Sequence, residues 1–452
     1  MTHTNLFRAL GWKKGFEDDN LGEIFSLPEV HRSIPVPAHY SFWRKLLAFA
    51  GPGFMVAVGY MDPGNWATDL AGGSKFGYAL LSVVLISNFF AMILQHLSVK
   101  LGIVTGRDLA QLCRDKFSKP VAIFLWLMAE IMIIACDLAE IIGSAIALNL
   151  LFGLPIIIGV LVTALDVFVL LLLQNKGFRW LEAFVVTLIG TVTVIFLAEI
   201  AFSSPALGPV LAGFIPTTKL VFNPEMLYLA IGILGATVMP HNLYLHSAVV
   251  QTRRYEESAS GKREAIKFAT IDSTGALLLA LFVNAAILIV AAATFYERGY
   301  HDVADIVDAY KLMSPLLGAG LASVLFAVAL LASGQNSTVT ATLAGQIIME
   351  GFINLKIKPW LRRMITRVLA IFPAVVFIAI YGSDKVTELL IFSQVVLSIQ
   401  LSFAVFPLLV FTGSKKVMGE FANSWFLSAL AWVIGLIIAG LNVWLLKGIV
   451  FG

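Results

Sequence analysis

Two short runs hold the residues with the most chemical reach. In Gly59-Tyr60-Met61-Asp62-Pro63-Gly64-Asn65-Trp66, a carboxylate and a side-chain amide flank a proline and a glycine. In Ala236-Thr237-Val238-Met239-Pro240-His241-Asn242, a thioether and an imidazole flank a proline. Each run interrupts an apolar stretch long enough to cross a bilayer. An ionisable side chain at that depth is expensive. Proline removes an N–H and clashes with the preceding turn, and freed backbone persists at membrane depth only where it faces protein or a water-filled cavity. Both helices are therefore expected to break, with Asp62 and Asn65 at one break and Met239 at the other. The Ala236 carbonyl joins them if its helix unwinds there. Oxygen ligands alone suit magnesium or calcium, and a thioether does not favour hard ions, so the mixture points to a divalent transition metal. Paired, proline-interrupted segments in the two halves of a chain are the mark of a transporter built from internal repeats. Ordinary proline kinks and a gap-filling core methionine are the competing readings.

Other ionisable residues lie at membrane depth. His241 and His246 are five apart, about 140° around a regular helix, so one metal cannot easily use both. A protonatable role, or a buried histidine bonded to a neighbour, fits them better. Glu130, Asp137 and Glu140 share one face of a single helix. Arg362, Arg363 and Arg367, at the start of a later helix, are candidate partners. Acid–base chains of this kind make proton routes; a static ion-pair cluster is the alternative.

These groups need helices to hold them. The chain has 452 residues, 59% hydrophobic and only 13% charged, the composition of an integral membrane protein. Eleven spans are predicted, at about Leu47–Ala71, Gly77–Leu101, Val121–Leu150, Pro155–Leu173, Trp180–Ala201, Met226–Val250, Phe268–Phe295, from near Pro315 to as far as Gly351, then Ile365–Tyr381, Val386–Phe411 and Trp425–Leu446. Tyr40-Ser41-Phe42-Trp43-Arg44-Lys45 reads as an interfacial anchor. With the amino terminus inside, all but six of the 31 Lys and Arg residues fall on the cytoplasmic side, which sets a cytoplasmic amino terminus and an extracytoplasmic carboxyl terminus. The first forty residues are polar and carry no cleavable signal pattern. Cys113 and Cys136 are read as small apolar residues. No HExxH or GxSxG motif accompanies Asp62 and His241, so an intramembrane enzyme is not expected.

The motifs resemble those of the Nramp family of proton-coupled divalent metal ion transporters. They are Asp62-Pro63-Gly64-Asn65, Ala236-x-x-Met239-Pro240-His241, and Gly334-Gln335-Asn336-Ser337-Thr338-Val339-Thr340 with Gly345-Gln346 and Glu350-Gly351. Asp137-Leu138-Ala139-Glu140 and Ser393-Gln394-Val395-Val396-Leu397-Ser398 also resemble the family, and the match runs from about Phe42 through the tenth span. The resemblance implies an all-α, five-plus-five inverted-repeat, leucine-transporter-like fold with helices 1 and 6 unwound mid-membrane. The expected division is a cytoplasmic arm (1–45), a first repeat (46–201), an extracytoplasmic loop (202–225), a second repeat (226–411) and a last span with the carboxyl terminus (412–452). The implied activity is proton-stimulated import of manganese or ferrous iron, with cadmium, cobalt and zinc as further substrates, across the plasma (inner) membrane. By family pattern Asp62, Asn65, Met239 and the Ala236 carbonyl bind metal, Gln394 joins in some conformations and the Gly59 carbonyl contributes. His241, Glu130, Asp137, Glu140 and Arg362, Arg363 and Arg367 match a proton pathway. No cofactor and no nucleic-acid partner is expected, and the protein is expected to act as a monomer in the bilayer. A magnesium or organic-solute transporter of the same fold is the alternative. Asn336 and Ala341 stand where the family usually has Ser and Gly, and Met239 argues against the magnesium branch.

Overall fold

The computed structural model describes residues 26–27, 30–165, 177–301, 303, 305–318, 320–354 and 359–451. Apolar runs form its long helices, and polar or glycine residues end them. In chain order, strand β1 (Ile34–Pro35) precedes α1 (Phe42–Phe49), α2 (Pro52–Gly59), α3 (Pro63–Phe76), α4 (Leu81–Thr105), α5 (Leu109–Lys116), α6 (Lys119–Phe152), α7 (Ile156–Val162) and α8 (Phe178–Ser203). There follow α9 (Leu207–Gly213), α10 (Lys219–Phe222), α11 (Pro224–Thr237), α12 (Pro240–Val249), strand β2 (Arg253–Arg254), α13 (Ala259–Thr294), α14 (Ile306–Leu317) and α15 (Ala322–Ile353). The last are α16 (Pro359–Tyr381), α17 (Val386–Gly413), α18 (Lys415–Met418) and α19 (Trp425–Phe451).

Nine helical stretches among the described residues are long and apolar enough to cross a membrane. The remaining two of the eleven predicted spans are the first, cut into α1, α2 and α3, and the fourth, of which Ile156–Leu165 is described and 166–173 lie outside the described residues. The eighth span is corrected. Pro315 belongs to a separate helix, α14, which closes on the left-handed Gly318 (φ 68°), and α15 begins only at Ala322. The apolar character of both segments hid the turn between them.

The predicted interruptions are present. The first helix stops at Gly59 and restarts at Pro63, and the sixth stops at Thr237 and restarts at Pro240. Around them α2, α3 and α4 pack on α13, α11 packs on α17, and α6 packs on α15. The broken helices are thus enclosed by continuous ones.

A second interruption, Ala50–Gly51 between α1 and α2, was not anticipated. Gly51 has φ +136°, a conformation that requires glycine, and a Cβ there would lie 2.4 Å from the Glu182 carboxyl carbon and displace that carboxylate. Its amide faces Asp272 Oδ1 at 3.4 Å, and the Gly53 amide donates to Asp272 Oδ2 at 2.7 Å. The Arg253 guanidinium, wholly buried, donates to Glu182 Oε1 at 2.6 Å and to the carbonyls of Ala48, Phe49 and Ala50. Arg253 is itself held by the arm. Ile34 and Pro35 pair in parallel with Arg253 and Arg254, and the Val36 amide donates to the Arg254 carbonyl at 2.9 Å. Further back in the arm, the Ser26 hydroxyl donates to Asp108, which caps α5 by accepting from the Gln111 amide at 2.8 Å. Burial raises the Asp108 carboxyl to about 6, against the opposing pull of these donors.

Candidate functional site

The two prolines decide which carbonyls are available. In an α-helix the carbonyl of residue i accepts from the N–H of residue i+4. Pro63 and Pro240 have no N–H, so the carbonyls four residues back, Gly59 and Ala236, lose their ladder partners. The chain then reverses role at each break, since Asp62 and Met239 are the caps from which α3 and α12 begin.

The structure brings the breaks together. Asp62 Oδ1 accepts from the Asn65 backbone N–H and from Asn65 Nδ2, both at 2.8 Å. The same Nδ2 donates to the Ala236 carbonyl at 2.9 Å. One NH₂ group therefore holds a carboxylate from one broken helix and a carbonyl from the other, the pair of acceptors that a cation would take. The α3 amino terminus also favours negative charge at Asp62 through its aligned peptide dipoles. Gln394 Nε2 lies 3.5 Å from Asp62 Oδ2, at the limit of a hydrogen bond. Asp62, Asn65, Ala236, Met239 and Gln394 are all at 0% exposure, so the site is closed to both faces in this conformation.

Gly64 sets the distance to Gln394. A Cβ there would lie 1.7 Å from Gln394 Nε2 and 2.2 Å from its Cδ. Gly64→Ala is therefore expected to push Gln394 off Asp62 and to weaken binding of a cation at the breaks roughly tenfold, the scale of losing a group that orients a metal ligand. Calorimetric titration of the folded variant with divalent cations tests this, and an unchanged affinity would rule Gln394 out of the site.

Three residues at the breaks were not singled out from sequence. Asn284 on α13 donates to the Tyr60 carbonyl at 2.7 Å and sits 3.3 Å from Asn65 Oδ1. Ser333 on α15 donates to the Met61 carbonyl. Gln95 on α4 donates to the Tyr60 hydroxyl at 2.8 Å and accepts at 2.9 Å from His246 Nδ1, which is the donor because an amide oxygen can only accept. Their signal was faint: single polar residues inside apolar helices. His246 thus belongs to a network that braces the first break.

His241 lies in the first turn of α12, 1% exposed, and neither ring nitrogen has a hydrogen-bond partner among the described residues. On α6, Glu130 Oε1 accepts from Trp126 Nε1 at 2.9 Å, and Glu140 lies 3.6 Å from Cys136 Sγ. Asp137 and Glu140 are buried, and Glu130 is half-buried. Arg367 is buried and donates to Thr338 on α15 at 2.9 Å. Arg362 and Arg363 fall on α16, but their side chains lie outside the described residues.

Comparison with known proteins agrees with this architecture. The model of the Nramp family, natural resistance-associated macrophage protein-like, matches residues 53–447. The chain belongs to the Nramp family. It is 61% identical over 427 residues to the divalent metal cation transporter MntH of Nostoc sp., covering 94% of this chain and 97% of that one. To the protein of the same name from Bradyrhizobium diazoefficiens it is 60% identical over 444 residues, covering 98% of each. Among solved structures, the manganese transporter of Eremococcus coleocola, in complex with an aromatic bis-isothiourea substituted compound, superposes with a TM-score of 0.87 at 43% identity, covering 93% of this chain and 90% of that one. Mhp1, a nucleobase-cation-symport-1 family transporter, shares the fold alone, with a TM-score of 0.53 at 13% identity over 88% of this Nramp chain and 93% of Mhp1.

Proposed function

We propose that this protein imports divalent transition metal ions, manganese or ferrous iron foremost, across the plasma membrane, with protons entering alongside. The observation that carries the reading is the Asn65 amide bridging Asp62 on one broken helix and the Ala236 carbonyl on the other. Asp62, Asn65, Met239 and the Ala236 and Gly59 carbonyls form the proposed metal site, with Gln394 joining them. The relatives named as divalent metal cation and manganese transporters support this substrate class. The proposed arrangement has the arm cytoplasmic, repeats at 46–201 and 226–411, and a carboxyl terminus on the far side. Met239 at the break weighs against a magnesium or organic-solute transporter of the same fold. The experiment is manganese uptake by purified protein in liposomes, with an ion-competition series; absence of metal-dependent uptake would overturn the reading.

Met239→Ala tests the sulfur. Oxygen ligands remain, so cadmium should lose affinity more than manganese, and calcium or magnesium should compete better. An unchanged competition order would make Met239 a packing residue.

The helix α6 acids are assigned to a proton route that starts near Asp62 and His241 and leaves past Asp137 toward Arg362, Arg363 and Arg367. Voltage alone favours entry of a divalent ion by roughly 4.6 kcal/mol per 100 mV, so metal uptake can persist when proton flow fails. Asp137→Asn is expected to weaken metal-stimulated proton entry more than voltage-driven manganese uptake. Vesicle-interior pH and manganese, followed in parallel, check it; strictly proportional losses would make Glu130, Asp137 and Glu140 a structural cluster.

A further inference from the structure

Asp69 is a second carboxylate on the helix that carries Asp62, and nothing in the site described so far uses it. It is wholly buried, and neither oxygen has a hydrogen-bond partner among the described residues. Asp62 is satisfied by Asn65; Asp69 has no such donor. A carboxylate withdrawn from water without donor or counter-charge is costly, so this position calls for a cation.

Its place on α3 is well defined. Asp62, Asn65 and Asp69 fall on one face of the helix, spaced by three and four residues. That face meets α13. Asn65 contacts Asn284 at 3.3 Å, and two turns further a Cβ at Gly73 would lie 2.5 Å from the Leu288 carbonyl oxygen. Asp69 is midway between Asn65 and Gly73, on the side of Asp62 away from the arm. Asn284 Oδ1 also lacks a partner, and the Asp62 carboxyl is near enough to act electrostatically on Asp69.

We propose that Asp69, with the amide oxygen of Asn284, forms a second cation-binding position that the divalent ion occupies before it reaches Asp62 and Met239; this rests on the metal-transport reading above. The position offers only oxygen, so it takes manganese and cadmium with little preference, and sorting is left to the sulfur of Met239.

The test uses full-length protein in liposomes and Asp69→Asn, which keeps the side chain's shape and removes its charge. Uptake at limiting manganese should fall roughly tenfold, the lower end of what a path lined by one sign of charge contributes to capture of a cation. Calorimetry in detergent should lose a second, weaker manganese-binding event while the tighter one is kept, and cadmium uptake should fall by the same factor as manganese. Asp69→Glu should restore uptake. Wild-type kinetics in Asp69→Asn would overturn the proposal. So would joint loss of binding and uptake, which would place Asp69 in the support of the Asp62 site, and so would loss of proton entry with manganese uptake intact, which would make it a proton carrier. Manganese uptake surviving in Asp62→Ala would instead overturn the underlying metal site.

Discussion

Asp62→Ala should abolish manganese uptake while leaving a folded, membrane-inserted protein. The loss should exceed about 100-fold, because removal of groups that merely orient metal ligands already costs roughly 10–100-fold. Asp62 is the only acidic side chain in either break, so no neighbouring carboxylate within the breaks can replace its charge. The fold should survive because two effects oppose. The variant loses the cap on the Asn65 amide, worth about 1 kcal/mol, but it also removes a charge buried at membrane depth, whose desolvation weighs against the folded state. The check is uptake beside a thermal unfolding curve in detergent. Well-folded protein with near-normal uptake would remove Asp62 from the site and with it the proposed function.

The largest effect on stability is expected at Arg253. Its guanidinium is at 0% side-chain exposure and pairs with Glu182 at 2.6 Å, itself at 4%. Replacing it with alanine leaves that carboxylate buried with Arg179 alone, 3.0 Å away, and takes a donor from the Phe49 carbonyl, while those of Ala48 and Ala50 keep Arg179. Breaking a buried pair from one side costs about 3–5 kcal/mol, and the remaining Arg179 places Arg253→Ala near the lower figure. The unfolding midpoint should drop clearly, and Arg253→Lys should recover only part of it, since an ammonium cannot fork across several carbonyls. A midpoint equal to wild type would mean that packing and Arg179 hold the α1–α2 junction without Arg253.

Legibility in the sequence followed locality. Asp62, Pro63 and Gly64 stood out because each breaks a rule of apolar helices, and Pro240 did so again. The structure puts helix ends at both. The α1–α2 break escaped notice because Gly51 is one glycine at the head of an apolar run, and its partners are remote in sequence: Glu182, Arg253 and Asp272. The strand pair of Ile34 and Pro35 with Arg253 and Arg254 was invisible for the same reason, being two residues long. Pro315 misled because proline favours the first turn of a helix, whereas here it lies inside the last turn of α14. Asn284 and Asp69 are isolated polar residues in apolar runs, and only the packing of α13 on the face of α3 that carries Asn65 and Asp69 sets them at one helix interface.

The Arg253 clamp has a consequence for the order of assembly. The carbonyls it holds, at Ala48 to Ala50, and the strand that holds its backbone, at Ile34 and Pro35, are synthesised some two hundred residues before Arg253 itself. At about 5–20 residues per second, that interval is roughly 10–40 seconds. Throughout it the carbonyls of Ala48 to Ala50 lack the Arg253 guanidinium, and Ile34 and Pro35 lack their strand partner. The clamp on the α1–α2 junction is therefore completed only when Arg253 meets the segment made first.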